Sequence, residues 1–296
     1  MVRPHHFGYN HQTADSNAFQ NKGTPGDKVA EQARKEFDQV IELLSARQVK
    51  TLVIDDTEEP PKPDAVFPNN WITTHADGRV FLYPMMAANR RWERRADVVE
   101  LLKNRFQVAE VIDLSHSEAE QKFLEGTGSI VFDHDYSAAF ACRSARTNEE
   151  LFLKLCATLN YKPVLFDAKD ENDTAIYHTN VMMWIGSKMA GVCLDALGND
   201  AEQEKVIDEL NAGGHRIVAL SHQQVRSFAG NMFEVKGKNG DPYLLMSQRA
   251  HQSLLPGQLR EIKKHAEPLV VSINTIEDNG GGSIRCMVAG IHLPPR

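Results

Sequence analysis

Two hydrophobic periodicities take turns along this chain. Stretches with apolar residues every three or four positions read as amphipathic helices at 27–48, 92–106, 147–160, 200–214 and 257–266. Most are followed by one short run rich in β-formers, at 51–55, 107–114, 162–168, 215–220 and 268–273. A polar stretch comes next, and then a pair of strand-like runs, at 69–84 with an Asp-Gly turn, 128–143, 180–194, 231–248 with Asn-Gly, and 283–293. The helix starts, at 27, 92, 147, 200 and 257, recur every 53 to 65 residues. Self-similarity at that period predicts an array of one βββα-type unit. The last unit has no helix after it, so its third strand is expected from "MVRPHHFG" at the N-terminus. That closes the ring of a five-bladed α/β propeller, one catalytic domain over residues 1–296.

Composition narrows the class. Charged residues are 25% and apolar residues 42% of 296, an ordinary soluble balance. A net charge of −7 argues against nucleic acid or an anionic membrane as partner, since no basic excess exists to neutralise phosphates. No apolar run reaches membrane-spanning length. The first twenty residues are polar and do not read as a secretory signal. Cysteines 142, 156, 193 and 286 show no CxxC spacing, which fits reduced thiols in the cytoplasm. His5 and His6 are adjacent in an extended segment, so their side chains face opposite ways and make a poor metal pair.

The repeat has a chemical consequence. Equivalent points of a ring of units converge near its axis. At the starts of the strand pairs stand Asn69 and Asn70, Glu125 to Gly128, His178 and Asn180, Asn231, and Cys286. Singly, each has a structural explanation: a capping carboxylate, a hydrogen-bonded core histidine, a buried thiol acting as a small hydrophobe. Together, carboxylate, imidazole and thiol form a set for nucleophilic catalysis. The glycines of "NGGGS" before Cys286 would let a loop pass close to substrate and leave backbone N–H groups free near the thiolate.

The motifs "DAVFPNNW" (64–71), "ANRRWE" (88–93), "LEGTGSIVF" (124–132), "SARTN" (144–148) and "HTNV" (178–181), followed by Cys286, resemble the guanidino-group modifying enzymes. That superfamily holds arginine deiminase, dimethylarginine dimethylaminohydrolase, succinylarginine dihydrolase and the amidinotransferases, and its fold is the five-bladed α/β propeller (the pentein fold). The wording of the N-terminal and "VFPNNW" motifs is most similar to the citrulline-utilisation branch. The resemblance implies Cys286 as nucleophile on a planar guanidine or urea carbon. It implies His178 as acid and base, and Glu125 as the group that holds the substrate nitrogens. Asp64 and Phe67 would line the substrate loop, and Arg90 and Arg146 would grip an α-carboxylate. No metal and no organic cofactor is expected, because nucleophile, base and orienting acid are all protein groups.

Three positions depart from the family. Asn70 and Asn180 stand where enzymes acting on guanidinium usually carry carboxylates, and "EGTG" places Gly128 where several relatives have another. A guanidinium only donates hydrogen bonds and prefers carboxylates, whereas a neutral ureido group has an acceptor oxygen that an amide can satisfy. The expected activity is therefore a Cys-dependent C–N hydrolase with citrulline as favoured substrate, giving ornithine, carbon dioxide and ammonia. An arginine dihydrolase or a deiminase or dimethylarginine-hydrolase activity is the alternative. A propeller serving as a non-catalytic binding module is a third class. A neutral substrate brings no charge to the thiol, so His178 is expected to be its cationic partner. The partner expected is a small molecule, with no nucleic acid and no membrane. Oligomeric state, a homo-oligomer included, is left open.

Overall fold

A computed structural model describes residues 1–14, 17, 19–20 and 27–296. Among them the strands fall into five small sheets. Strands β1 (Val2–Arg3) and β2 (Ile54–Asp55) pair parallel across the helix Asp27–Ala46. The other four sheets share one plan. They are β3 (Ile72–Thr74), β4 (Arg79–Leu82) and β5 (Glu110–Asp113); β6 (Ile130–Asp133), β7 (Ala138–Cys142) and β8 (Lys162–Phe166); β9 (Met183–Ile185), β10 (Met189–Val192) and β11 (Arg216–Ala219); and β12 (Phe233–Lys236), β13 (Pro242–Ser247) and β14 (Glu267–Val271). In each, the first two strands are antiparallel and the second and third parallel. A parallel pair needs a crossover, and helices supply it: Ala96–Arg105, Glu149–Leu159, Asp200–Ala212 and Pro256–Ile262.

Local chemistry sets these boundaries. Gly78, at a φ of +86°, and Gly240, at +84°, take the left-handed turn positions of the Asp-Gly and Asn-Gly connections. Asn148 and Asn199 cap their helices by accepting from Leu151 N and Glu202 N, and Asn160 ends the first of these in the left-handed region. In the helix Asp27–Ala46, Ala33, Phe37, Val40 and Leu44 form one buried stripe against Leu269, Ile276 and Ile284. Phe37→Ala would empty the middle of it, at about 3–5 kcal/mol.

The structure corrects the fifth unit. Residues 283–293 form no strand pair. Cys286 N bonds Ser283 O and Met287 N bonds Ile284 O, which makes a turn of the segment. It is held beside β3 by a side chain instead: Thr74 Oγ1 donates to Gly290 O and accepts from His292 N. The N-terminal strand pairs with Ile54–Asp55, one helix later in the chain. The glycine-rich stretch is also less of a loop than expected. Asn279 and Gly280 end a helix, Asn274–Gly280, which Gly281 caps at a φ of +63°.

The first strands of neighbouring sheets lie side by side, β6 against β9 and β9 against β12. The turns that precede them are thereby brought to one region. Among the described residues no helix is long and apolar enough to cross a membrane.

Candidate active site

Three of the site's residues sit at the same point of their units. Phe67 precedes a one-turn helix, Pro68–Asn70, leading into β3; Glu125 precedes Gly126–Ser129, leading into β6; His178 precedes Thr179–Val181, leading into β9. The first two turns touch backbone to backbone. A Cβ on Gly126, whose φ is +43°, would lie 2.3 Å from Asn69 O, so only glycine fits there. Cys286 comes from the turn after the helix Asn274–Gly280. The glycines between make room for a ring rather than a ligand: a Cβ on Gly280 or Gly282 would lie 2.7 or 2.9 Å from Phe67.

Asp64, Phe67, Asn70, Arg90, Arg146, His178 and Cys286 line one small cleft with Tyr177. Its volume is about 20 Å³, and Thr13 and Asn17 of the N-terminal segment help to line it. Arg146 Nη2 donates to Thr13 O (3.2 Å) and Asn17 Nδ2 to Gly280 O (3.2 Å). Glu125 and Asn180, the remaining predicted residues, are fully buried beside the cleft.

Glu125 and His178 form the tightest pair, Oε2 to Nε2 at 2.9 Å. The same oxygen receives Arg146 Nη1 at 3.4 Å, and Oε1 accepts Met86 N at 3.0 Å. Burial opposes the charge on Glu125, but the Arg146 guanidinium and the His178 hydrogen bond outweigh it and hold the carboxyl well below its usual range. Burial pulls His178 down to about 4 against the pull of Glu125, aided by Arg146 and Arg90. Its imidazole is thus neutral at neutral pH. The expectation that His178 supplies a cation to the thiol is not met, for that reason.

Two amides face the thiol instead. Asn180 Nδ2 lies 3.4 Å and Asn231 Nδ2 3.3 Å from Cys286 Sγ. Asn180 was expected to bind a ureido substrate. Its N–H₂ is turned to sulfur, while its Oδ1, buried, has no hydrogen-bond partner among the described residues. Asn231 is the residue that sequence reasoning placed at a strand-pair start and then left out of the site. Its homologous position was the signal.

Arg90 lines the cleft with its guanidinium already engaged. Its Nε and Nη2 grip Glu93 in a fork, both at 2.8 Å, and Nη1 donates to Asn70 Oδ1 at 2.9 Å. It thereby braces Asn70. Asp64 accepts from Asn10 Nδ2 at 2.7 Å and lies 3.7 Å from Arg90 Nε. Its other oxygen is buried without a hydrogen-bond partner among the described residues. Burial outweighs the Arg90 charge and raises the Asp64 pKa above its ordinary value. Asn10 and Tyr177, whose hydroxyl donates to Gly281 O at 3.0 Å, were given no role from the sequence, and Glu93 stood in the "ANRRWE" motif without one. No cluster of His, Cys, Asp and Glu among the described residues could hold a metal ion.

The fold recurs in solved structures. The N-terminal domain of ArgZ bound to product, an arginine dihydrolase from the ornithine–ammonia cycle in cyanobacteria, matches 99% of this chain and 98% of its own at 16% identity, with a TM-score of 0.74. A variant of AgrE in complex with L-arginine matches at 16% identity and a TM-score of 0.76, covering all of this chain but 40% of AgrE. A dimethylarginine dimethylaminohydrolase variant, in adduct with S-methyl-L-thiocitrulline, matches 97% of this chain and 96% of its own at 13% identity and a TM-score of 0.65. At such identities the likeness is one of fold. No curated protein sequence matches the chain. The model of one family, eukaryotic N,N-dimethylarginine dimethylhydrolase, matches residues 3–293. With nearly its whole length matched, the chain belongs to that family.

Proposed function

We propose that this protein is a Cys-dependent hydrolase that cleaves C–N bonds of a ureido or guanidino amino acid, with citrulline as its substrate. The observation that carries the choice is the orientation of Asn70. Arg90 occupies Asn70 Oδ1, and Asn70 Nδ2, which spends one hydrogen on Glu125 O at 3.5 Å, keeps a second N–H for a ligand. An N–H donor suits a ureido oxygen and has nothing to offer a guanidinium.

In this reading Cys286 adds to the ureido carbon, and neutral His178 takes the thiol proton and delivers it to the departing nitrogen. One C–N bond breaks and a thioester-like carbamoyl sulfide remains. Water, deprotonated by His178, adds to it and releases the thiol. The carbamic acid so formed loses CO₂ and breaks the second C–N bond, whichever nitrogen left first. The sum is citrulline plus water to ornithine, ammonia and CO₂. Glu125 holds His178 and the substrate nitrogens, and Asp64, Phe67, Arg90 and Arg146 shape and charge the substrate site. The catalytic unit is the whole chain, folded as a single five-bladed propeller. Its four unbridged cysteines suit a cytoplasmic setting.

Arginine is the second reading. The ionised Glu125 and the unpartnered oxygen of Asp64 are acceptors that a guanidinium would fill. A dihydrolase would use them for arginine and then Asn70 for the ureido intermediate. Incubation with arginine, citrulline, methylarginines and succinylarginine, with ammonia, citrulline and ornithine each quantified, tests both. Ornithine from citrulline is expected. Release of citrulline as the end product of arginine or methylarginine would overturn the first reading, and no turnover on any of them would overturn the catalytic one.

A further inference from the structure

The first strands of the sheets also line a second and larger cavity, of about 180 Å³, which shares no lining residue with the catalytic cleft. The two are joined by one peptide bond, since Arg285 lines the larger and Cys286 the smaller. Arg285 is a cation in an unusual position. Its Nη1 donates to Val288 O at 2.7 Å and its guanidinium lies 4.5 Å over the Phe233 ring. Among the described residues it has no carboxylate partner. Burial pulls its pKa down to about 10. A partly buried guanidinium without a counter-charge favours any anion that can reach it.

The cavity mouth adds two further nitrogen bases. His134 and His292 lie with ring centroids 4.1 Å apart, and the Arg285 charge, after burial, helps to keep both below the usual imidazole pKa. Arg285 and both rings line the same cavity. Of the acids nearby, Asp133 is held by His215 at 2.6 Å, whereas Glu234 Oε2 is buried with no hydrogen-bond partner among the described residues. Asp135 stands at the rim. These negative charges disfavour a dianion.

We propose that this cavity is a binding site for a small monoanionic oxyanion of the carboxylate or bicarbonate type, seated on Arg285 between His134 and His292. The seat is linked to the thiol. Arg285 N donates to Asn231 Oδ1, and Asn231 Nδ2 donates to Cys286 Sγ. An anion drawn to Arg285 offsets the positive charge beside the sulfur and slows its reaction with an electrophile.

Calorimetric titration of the whole protein with acetate, bicarbonate and phosphate, at ionic strength held with chloride, tests this. The panel is the native protein, Arg285→Gln, His292→Asn, and native protein alkylated at Cys286, in which the catalytic cleft is filled. One saturable site for acetate or bicarbonate is expected in the native and alkylated proteins, weakened about tenfold or more in Arg285→Gln. His292→Asn, which leaves Arg285 in place, should weaken it less and keeps the test valid if Arg285→Gln does not fold. Bicarbonate binding without acetate identifies the reaction product as ligand; binding of both identifies carboxylates in general. Absence of saturation in the native protein, loss of binding on alkylation, unchanged binding in both variants, or a preference for phosphate would each overturn the proposal.

Discussion

Asn231 donates its side-chain amide to the sulfur of Cys286 across 3.3 Å, from a position 55 residues earlier in the chain. Asn180 does the same from another sheet at 3.4 Å. Two donors aimed at the sulfur hold its direction and stand ready to hydrogen-bond charge that develops on it during reaction. Asn231→Ala and Asn180→Ala should each slow iodoacetamide alkylation of Cys286 by about tenfold, the scale of a hydrogen bond to a charged group. Stopped-time labelling with mass spectrometry measures it. Native alkylation rates in both variants would show that the amides merely pack against the thiol.

The same experiment separates the four thiols. Burial pushes Cys142 and Cys193 up to about 11 and Cys156 up to about 12, so all three stay protonated and inert near neutrality. One label per native chain is expected, at Cys286, with substrate protecting it. Cys286→Ala should cost several orders of magnitude in ammonia release with the fold intact. Retained turnover would remove the covalent route.

Acid should weaken the protein through the buried Glu125–His178 pair. His178 binds a proton near pH 6.5 when unfolded and near pH 4 when folded. Between those values the unfolded chain holds more protons, so stability from this residue is complete above 6.5 and declines towards 4. Glu125 acts in the same direction: its folded pKa is depressed, so its contribution also fades as pH falls through the ordinary carboxylate range. Melting temperature should drop from pH 6.5 to 4, and His178→Asn should flatten that slope. The acid limb of kcat/KM for a neutral substrate should likewise lie near pH 4. An acid limb at 6.5 would mean that the resting imidazole is not held neutral.

Asn70→Asp keeps the acceptor that Arg90 Nη1 uses and removes the N–H₂ donor, which reaches Glu125 O at 3.5 Å in the free protein. Citrulline hydrolysis should fall by about 10²–10³, the loss of one donor at a developing oxyanion. Conversion of arginine to citrulline should hold or rise, since a carboxylate adds a charge-assisted contact to guanidinium. The two products, measured separately from each substrate, decide it. An unchanged citrulline rate would remove the basis for preferring a ureido substrate.

What the sequence made legible follows from which forces are local. Helix stripes such as Ala33, Phe37, Val40 and Leu44, and turns such as Asp77-Gly78, announce themselves over a few residues, and both stand where expected. The repeat then placed Asn70, Glu125, His178 and Cys286 by equivalence, and all four lie in or beside one cleft. Residues 283–293 read as strands because Ile284, Met287 and Val288 are apolar. Their burial against Phe37 and Phe67 is a core demand that needs no strand. The fork of Arg90 on Glu93 hid in a crowd of charges, because spacing alone does not say which arginine turns inward. Asn180 and Asn231 were visible as polar residues at the right points, but the direction of an amide depends on partners far away in sequence.

The pairing of turns from separate sheets makes the chemistry a gauge of assembly. His178 meets Glu125 across 53 residues, Asn231 meets Cys286 across 55 and Asn180 meets Cys286 across 106. Each sheet can form its ladder from contacts within its own stretch of chain, whereas the cleft exists only once several sheets have docked. High contact order of this kind is gained late in folding and given up by sub-global openings that leave most backbone hydrogen bonds unbroken. Under rising urea, thiol selectivity and turnover should therefore disappear while far-UV ellipticity is still nearly native.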